Sequence, residues 1–310
     1  MILVLRALGI GDLATGVPAI RGLRRAFPDE CLTLAVPRWL EPLVSLIGRV
    51  DRVDPTDGLA PRRWPGPSPR VAVNLHGRGP QSHALLAAAG ASAMWGFACA
   101  GFPAGPRWSA DEHEVQRWRR MLAWFGVDSD PTDLTLRRPT EPAAVSQATI
   151  IHPGAKAPQR RWPADRFATV ARELAAAGHL VVVTGSAGDR PLAMSVAAAA
   201  GLPAEAVLAG YTDTGGLAAV IADSRLVISG DTGVSHLATA FGRPSVTLFG
   251  PISPRLWGPP ARARHRTLWA GPTAGRTSPD DGPHPALAAL SVPQVLDAAE
   301  QAQAGHCESG

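Results

Sequence analysis

The sequence has few of the features that mark membrane and secreted proteins. It contains only three cysteines in 310 residues, Cys31, Cys99 and Cys307. Their odd number and wide spacing fit neither a disulfide framework nor a metal site, so we expect a reducing, cytoplasmic environment. No apolar run is long enough to span a membrane, and residues 1–5 are followed by turn residues rather than by the rest of a signal peptide. We therefore expect no transmembrane segment.

Motifs of several enzyme classes are also missing. Neither the phosphate-binding motif G-x-x-x-x-G-K-[ST] nor the nucleophile elbow G-x-S-x-G occurs in the chain. Residues 128–130, Asp-Ser-Asp, have the form of a metal-binding DxD motif, but they lie in a predicted linker rather than at the end of a strand. No other group of carboxylates and histidines has the spacing of metal ligands. We therefore expect no metal and no cofactor.

The charge of the chain argues against nucleic-acid binding. The net charge is only +4, and the arginines are scattered rather than grouped in a basic stripe with interleaved aromatic residues. Anionic small molecules are a better match for such arginines.

Apolar runs of strand length alternate with amphipathic helices in both halves of the chain, and this pattern predicts two doubly wound α/β sheets. The length and the hydrophobic fraction of 45% suit two such lobes. We expect an N-terminal domain at residues 1–140, a C-terminal domain at 149–290, and a closing helix and tail at 291–310. The Gly/Pro-rich residues 271–285 are expected to form a mobile loop, and the cleft between the lobes is the expected site.

Residues 227–251 form the most informative stretch. A buried strand is followed by the turn Gly230-Asp231-Thr232-Gly233, a short helix and a second strand. This order puts free backbone N–H groups and a helix N-terminus at the carboxyl edge of a sheet, which suits a diphosphate. Alternatively, Asp231 and Thr232 only cap the helix. His236 either donates to a phosphate or is a buried histidine with a backbone partner.

Two further glycine turns follow strands in the second half. Residues 151–155 precede Arg160 and Arg161, whose guanidinium groups beside a helix N-terminus would make an anion clamp or simply a solvated basic loop. Asp189 follows the turn that contains Gly185, where it receives sugar hydroxyls or caps the next helix.

The first turn of the chain, at residues 8–16, supports two chemistries. Gly9, Gly11 and Ala14 satisfy the dinucleotide fingerprint, and Arg38 at the end of the second strand would suit a 2′-phosphate. Asp12 argues against that function, because its charge would repel a pyrophosphate in the same turn. A carboxylate at a strand–helix turn is instead placed to take a proton from a hydroxyl, although Asp12 would equally cap the helix.

Four pieces of the chain together resemble glycosyltransferase family 9, the lipopolysaccharide heptosyltransferase family. They are Leu5-x-x-Leu8-Gly9-x-Gly11-Asp12 with Pro18-Ala19-Ile20; His152-Pro153-Gly154-Ala155 with Trp162-Pro163 and Phe167; Ser229-Gly230-Asp231-Thr232-Gly233 with His236-Leu237-Ala238; and Gly242-x-Pro244 with Phe249-Gly250-Pro251. The resemblance implies a GT-B fold, with two Rossmann-like lobes facing across a cleft. It also implies metal-independent, inverting transfer from a nucleotide-diphospho-sugar, commonly ADP-heptose.

By position, the resemblance implies a role for each matching residue. Asp12 matches the catalytic base, and the first lobe binds the acceptor. The donor site is matched by Arg160, which stands where the family often has a lysine, and by Asp189, Asp231, Thr232, Gly233 and His236. Asn74 and His76 stand where many members have Asp-x-Gln-Gly, and we expect them to bind the acceptor.

The sequence therefore predicts a cytoplasmic, inverting glycosyltransferase that acts on a glycan or a secondary metabolite. Two alternatives stay open. One is an NADP-linked Rossmann oxidoreductase that uses the turn at Gly9, and the other is a nucleotide-sugar binding protein without catalytic activity.

Overall fold

The computed structural model describes residues 1–272 and 282–307, except for the side chain of Cys307. Most of the predicted loop at 271–285 and the last residues of the predicted tail lie outside the described residues. The chain divides into two compact units, Met1–Arg137 and Arg138–Gly310.

The first unit is a five-stranded parallel sheet with helices in the connections. Its strands are β1 (Ile2–Leu5), β2 (Leu32–Val36), β3 (Arg52–Pro55), β4 (Val71–Asn74) and β5 (Ala93–Trp95), in the order β3-β2-β1-β4-β5. Its helices are α1 (Ile10–Ala26), α2 (Glu41–Ile47), α3 (Gln81–Ala87) and α4 (Glu114–Trp124). The central strands β1, β2 and β4 are aliphatic and fully buried, as expected for a parallel sheet that is covered on both faces.

The second unit repeats this design. Its strands are β6 (Thr149–His152), β7 (Val181–Val183), β8 (Leu226–Gly230), β9 (Ser245–Leu248) and β10 (His265–Leu268), in the order β10-β9-β8-β6-β7. A single parallel bridge joins Val207 to Val183 beyond β7. With that bridge as a sixth position, the order is the Rossmann order.

The helices of the second unit enclose the sheet. They are α5 (Ala164–Ala176), α6 (Arg190–Ala200), α7 (Thr214–Ala222), α8 (Gly233–Ala240), α9 (Pro254–Trp257), α10 (Pro285–Ala288) and α11 (Val292–Cys307). The closing helix α11 packs on this unit, where Val295 and Ala299 join the apolar core around Phe167. The Trp162 indole N–H donates to the Leu290 carbonyl at 3.1 Å and fastens the segment before α11. The prediction of two Rossmann-like sheets is confirmed.

The first turn of helix α1 matters for the site. Helix α1 begins at Ile10, and the Asp12 carboxylate in its first turn accepts a hydrogen bond from the Gly9 backbone N–H. Within residues 1–272 and 282–307, no helix combines the length and the apolar character needed to cross a bilayer.

Candidate functional site

Each sheet has one point where the strand order reverses, and the residues predicted from the sequence lie beside these two points. In the first unit the order reverses between β1 and β4, and in the second between β6 and β8. Ligands of open α/β sheets bind beyond the carboxyl ends of the strands at such a point. Asp12 and His76 follow β1 and β4, while Arg160 and Asp231 follow β6 and β8.

Arg160 and Asp231 form an ion pair across the loops that follow β6 and β8. The Arg160 Nη2 atom lies 2.6 Å from Asp231 Oδ2 and also donates to the Asp231 carbonyl oxygen. The Asp231 side chain is only 7% exposed, whereas the Arg160 side chain is 37% exposed. Gly230 permits this close approach, because a Cβ there would lie 3.2 Å from the Arg160 carbonyl oxygen.

Part of the Arg160 guanidinium stays available to a ligand. Its Nε and Nη1 groups make no hydrogen bond to the described residues, and the side chain is more exposed than its partner. An arginine that is held by one edge and open at the other is suited to bind an oxyanion with the open edge.

The N-terminus of α8 lacks the side-chain cap that the sequence allowed. Thr232 occupies the N-cap position with extended backbone, but no side chain accepts a hydrogen bond from the first turn, and no acidic residue lies in that turn. Asp231 turns its carboxylate to Arg160 instead. The N–H groups of Gly233 and Val234 therefore begin an uncapped helix, where the helix dipole favours an anion.

Two buried hydroxyl groups lie at the same turn without a partner. The Ser229 Oγ and Thr232 Oγ1 atoms are buried and have no hydrogen bond to any described residue. Buried hydroxyls normally have hydrogen-bond partners. Two buried hydroxyls without partners beside an uncapped helix therefore indicate a place where a polar ligand would supply the missing hydrogen bonds. His236 lies on the first turn of α8, half-buried, with its ring centroid 5.8 Å from that of Trp257 in an edge-on arrangement.

Asp189 lies over two glycine turns. A Cβ on Gly154 would lie 2.6 Å from the Asp189 Cγ atom, and one on Gly185 would lie 2.8 Å from its Cβ, so only glycine leaves room for this side chain. The Asp189 Oδ2 atom accepts hydrogen bonds from the Ser186 backbone N–H at 3.1 Å and from the Ser186 hydroxyl at 2.6 Å. Asp189 therefore closes the short turn Ala187–Asp189. It stands at the N-cap position of α6 but makes no side-chain cap hydrogen bond to that helix.

Arg161 interacts with a different carboxylate from the one that binds Arg160. Its Nε group donates to the Ala155 carbonyl at 2.9 Å, and its Nη2 atom lies 3.8 Å from Asp189 Oδ1. The two guanidinium groups are thus bound to separate loops and do not form the joint clamp that their adjacency in the sequence predicts.

His152 ends β6 beside these groups and is neutral at physiological pH. Burial lowers its pKa to about 4, and the nearby Asp189 carboxylate offsets only part of that effect. Its Nδ1 atom lies 3.0 Å from the Thr184 hydroxyl, which joins the ends of β6 and β7. Sequence reasoning noted His152 within a motif but gave it no function.

In the first unit, Asp12 lies in the first turn of α1. Its Oδ2 atom accepts a hydrogen bond from the Gly9 backbone N–H at 3.1 Å, so Asp12 does cap the helix. The Oδ1 atom makes no hydrogen bond to the described residues, and the residue is partly exposed. One carboxylate oxygen is therefore free to receive a proton while the other holds the turn.

Asn74 and His76 have different surroundings at the end of β4. Asn74 is fully buried, and its amide nitrogen donates to Ser82 Oγ at 2.8 Å while its oxygen accepts the His76 backbone N–H at 2.9 Å. Asn74 therefore holds the loop after β4, and its side chain has no exposed surface. His76 is half-buried, and burial and Arg6 lower its pKa while Asp12 opposes them, so His76 lies within electrostatic reach of Asp12.

The residues on which the alternative predictions depend make other contacts in the structure. Arg38 is exposed and pairs with Glu41 at 3.7 Å on the surface. In the Asp-Ser-Asp segment, Asp130 accepts hydrogen bonds from the Thr132 backbone N–H and hydroxyl, which lower the pKa of Asp130. Among the described residues, histidine, cysteine and carboxylate side chains do not gather in any group of three that would hold a metal ion.

Solved structures of known proteins share this fold. A solved structure of an E. coli ADP-heptose lipopolysaccharide heptosyltransferase II matches with a TM-score of 0.77 at 22% identity, covering 99% of both chains. An iron-containing dodecameric glycosyltransferase, TibC from enterotoxigenic E. coli, matches with a TM-score of 0.63 at 14% identity, covering 100% of this chain and 80% of its own.

The sequence comparisons identify the family. The lipopolysaccharide heptosyltransferase 2 of Escherichia coli K12 is 24% identical over 305 residues, which cover 86% of this chain and 87% of the relative. The sequence model of glycosyltransferase family 9 (heptosyltransferase) matches residues 106–279, more than half of the chain. This match favours the predicted glycosyltransferase over the oxidoreductase and the silent binding protein. The chain belongs to glycosyltransferase family 9.

Proposed function

We propose that the protein transfers a heptose or a related sugar from a nucleotide-diphospho-sugar, with ADP as the nucleotide, to a hydroxyl of a glycan or a secondary metabolite, with inversion at the anomeric carbon. One observation supports a nucleotide-diphospho-sugar as the donor. The uncapped N-terminus of α8 lies beside the Arg160 guanidinium, which is bound to Asp231 by one edge and open at the other. The choice of ADP and heptose rests on family membership and on the heptosyltransferase that shares the fold.

The second unit binds the donor in this proposal. Arg160 and the N–H groups of Gly233 and Val234 bind the diphosphate, and Thr232 adds a hydroxyl that has no partner in the described residues. The departing nucleoside diphosphate gains negative charge in the transition state, so donors fixed at this place stabilise the transition state more than the ground state. Asp231 orients Arg160 through their ion pair, and His236, at the start of α8, serves as a donor to phosphate in this proposal.

Asp189 is proposed to contact the ribose. Its Oδ2 atom is occupied by Ser186, but its Oδ1 atom has only the distant Arg161 guanidinium, at 3.8 Å. A carboxylate fixed by one oxygen and open at the other is suited to accept hydrogen bonds from a vicinal diol.

The first unit binds the acceptor. Asp12 accepts the proton of the attacking hydroxyl through its open oxygen while the new carbon–oxygen bond forms. The bond between the anomeric carbon and the phosphate oxygen breaks, and the nucleoside diphosphate leaves with the electron pair. His76 contacts the acceptor, and Asn74 supports the loop that carries His76.

We propose that the reaction needs no metal, because arginine and helix-terminal N–H groups supply the positive charge at the diphosphate. We place it in the cytoplasm, since three cysteines in 310 residues indicate a reducing compartment.

A nucleotide panel tests the proposal. Thermal shifts are measured with ADP, GDP, UDP, dTDP and NADPH, because a ligand of the native state raises the Tm by mass action. We expect the largest shift with ADP, and release of ADP when ADP-heptose is supplied. A shift with NADPH, and none with any nucleoside diphosphate, would contradict the proposal and favour the oxidoreductase.

A further inference from the structure

Arg6 is a fully buried arginine at the end of β1, and it binds neither donor nor acceptor in the proposed mechanism. It follows β1 directly, and none of its surface is exposed. A buried arginine is rare unless its charge is paired and its N–H groups are satisfied. Its partners therefore indicate why the fold retains a charge at this place.

The guanidinium of Arg6 joins two segments that carry candidate site residues. Its Nε group donates to the carbonyl oxygen of Asp12, and its Nη1 group donates to the carbonyl oxygen of Leu75, the residue before His76. Its Nη2 group donates to the Thr15 hydroxyl at 3.1 Å. One planar group thus fixes the first turn of α1 against the end of β4, and a lysine, whose three donors share one nitrogen, lacks this spread of donors.

The charge of Arg6 is balanced from α4. Its Nη2 atom lies 3.4 Å from Glu114 Oε1, which also accepts the Trp118 indole N–H at 2.7 Å. Arg117 bonds the other oxygen of Glu114. The guanidinium of Arg6 lies 5.0 Å from the Trp118 ring centroid. This buried network ties α4 to the turn that carries Asp12.

The sequence of α1 leaves room for this arrangement. A Cβ on Gly16 would lie 2.7 Å from the Arg6 Nε atom and 2.8 Å from its Cδ atom. Gly16 lies inside a helix, where alanine is intrinsically preferred by about 1 kcal/mol. Gly16 is therefore explained by the space that the Arg6 side chain occupies, and not by helix propensity.

We infer that Arg6 is a positioning residue that holds the Asp12 turn and the His76 loop in their reactive arrangement. The inference rests on the proposed function, in which Asp12 is the base. Arg6 touches neither the substrate nor the reacting atoms, and it acts through the backbone carbonyls of Asp12 and Leu75.

Two alanine variants of the same helix test the inference. Gly16→Ala displaces the guanidinium. Gly22→Ala crowds α1 equally, since its Cβ would lie 2.8 Å from the Asp128 carbonyl oxygen, but it leaves Arg6 alone. With ADP release from ADP-heptose in water as the assay, we expect kcat to fall about tenfold or more in G16A and less than about threefold in G22A. ADP affinity should be unchanged in G16A, because the donor residues belong to the second unit.

A second pair of variants changes the charge network itself. Arg6→Lys keeps the positive charge but loses the planar, forked arrangement of N–H donors. Arg117→Lys instead disturbs the ion pair at the other oxygen of the same Glu114. We expect R6K to lose kcat at unchanged donor KM, and R117K to lose stability with kcat nearly intact. Equal kcat losses within each pair, or none, would overturn the inference.

A spectroscopic measurement separates this inference from the proposed function. Arg6 helps to lower the pKa of His76, so the ring of His76, followed by NMR in the absence of substrate, should titrate at a higher pH in Arg6→Met than in the wild type. The titration should be unchanged in Arg117→Met. An unchanged His76 titration in R6M would overturn the placement of Arg6. Lack of ADP release by the wild type would count against the proposed function alone.

Discussion

The pairing of Arg160 with Asp231 leads to a quantitative prediction about donor binding. Arg160→Gln removes the cation that we assign to the diphosphate. A hydrogen bond to a charged group contributes about 1.5–3 kcal/mol, so ADP should bind about 10- to 150-fold more weakly. The same change leaves the Asp231 carboxylate, which is 7% exposed, without its partner and close to the incoming anion. Part of the loss therefore comes from repulsion and not from the missing donor.

The repulsion between the unpaired Asp231 carboxylate and the diphosphate can be removed without restoring Arg160. In the double variant Arg160→Gln with Asp231→Asn, the unpaired negative charge is gone, and we expect ADP affinity to recover by about tenfold relative to R160Q. Asp231→Asn alone keeps an acceptor oxygen for Arg160 and should weaken binding by only about threefold. The two substitutions are thus expected to be strongly non-additive.

Isothermal titration calorimetry at one fixed ionic strength measures the cycle, because salt screens exposed charges. Arg172→Gln is a matched control, since Arg172 lies on α5, is 52% exposed and has a weak contact with Glu173 at 3.9 Å. Additive effects in the double variant, or a loss of affinity in R172Q equal to that in R160Q, would refute the reasoning.

The remaining predictions concern the base, the loop after β4, pH and metal. Asp12→Asn should lower turnover about a hundredfold with donor affinity nearly intact, and near-normal turnover would contradict its role as base. Asn74→Ala should destabilise the protein by about 2–4 kcal/mol in urea denaturation, because it leaves buried partners unpaired; a loss below about 0.5 kcal/mol would contradict this. His152 has a pKa below that of an unfolded histidine, so the unfolded state binds the proton first, and stability should fall as the pH drops from about 6.5 toward about 4. His152→Asn should make the decline of Tm shallower, and an identical decline would contradict the assignment. EDTA should leave ADP release unchanged, and loss of activity restored by a divalent cation would contradict the proposed metal independence.

The fold could be predicted from the sequence wherever apolar runs are long and buried. The central strands β1, β4, β6 and β8 are such runs, and their alternation with helices indicates the Rossmann-like sheets. The edge strands β3, β5 and β10 could not be found in this way, because they are short and half-exposed and lack a continuous apolar pattern. Their pairing is determined by the sheet and not by local preference.

The candidate site was predictable as a set of turns but not as a set of contacts. The turn at Asp231 and the arginines at 160 and 161 are visible in the sequence. Arg160 lies 71 residues before Asp231 in the sequence. The sequence therefore does not show that Arg160 pairs with Asp231, or that Arg161 pairs with Asp189. Likewise, the position of Asn74 indicates the end of a strand, but only the packing of residues 77–83 shows that its side chain faces inward. Long-range partners of this kind depend on tertiary structure and leave no periodic signal.

Crystals of the protein with bound ADP would test the central claim most directly. The account predicts density for the diphosphate at the N-terminus of α8, within hydrogen-bond distance of the Gly233 N–H group and the Arg160 guanidinium. Density at the turn between β1 and α1, or elsewhere away from the Asp231 turn, would contradict it.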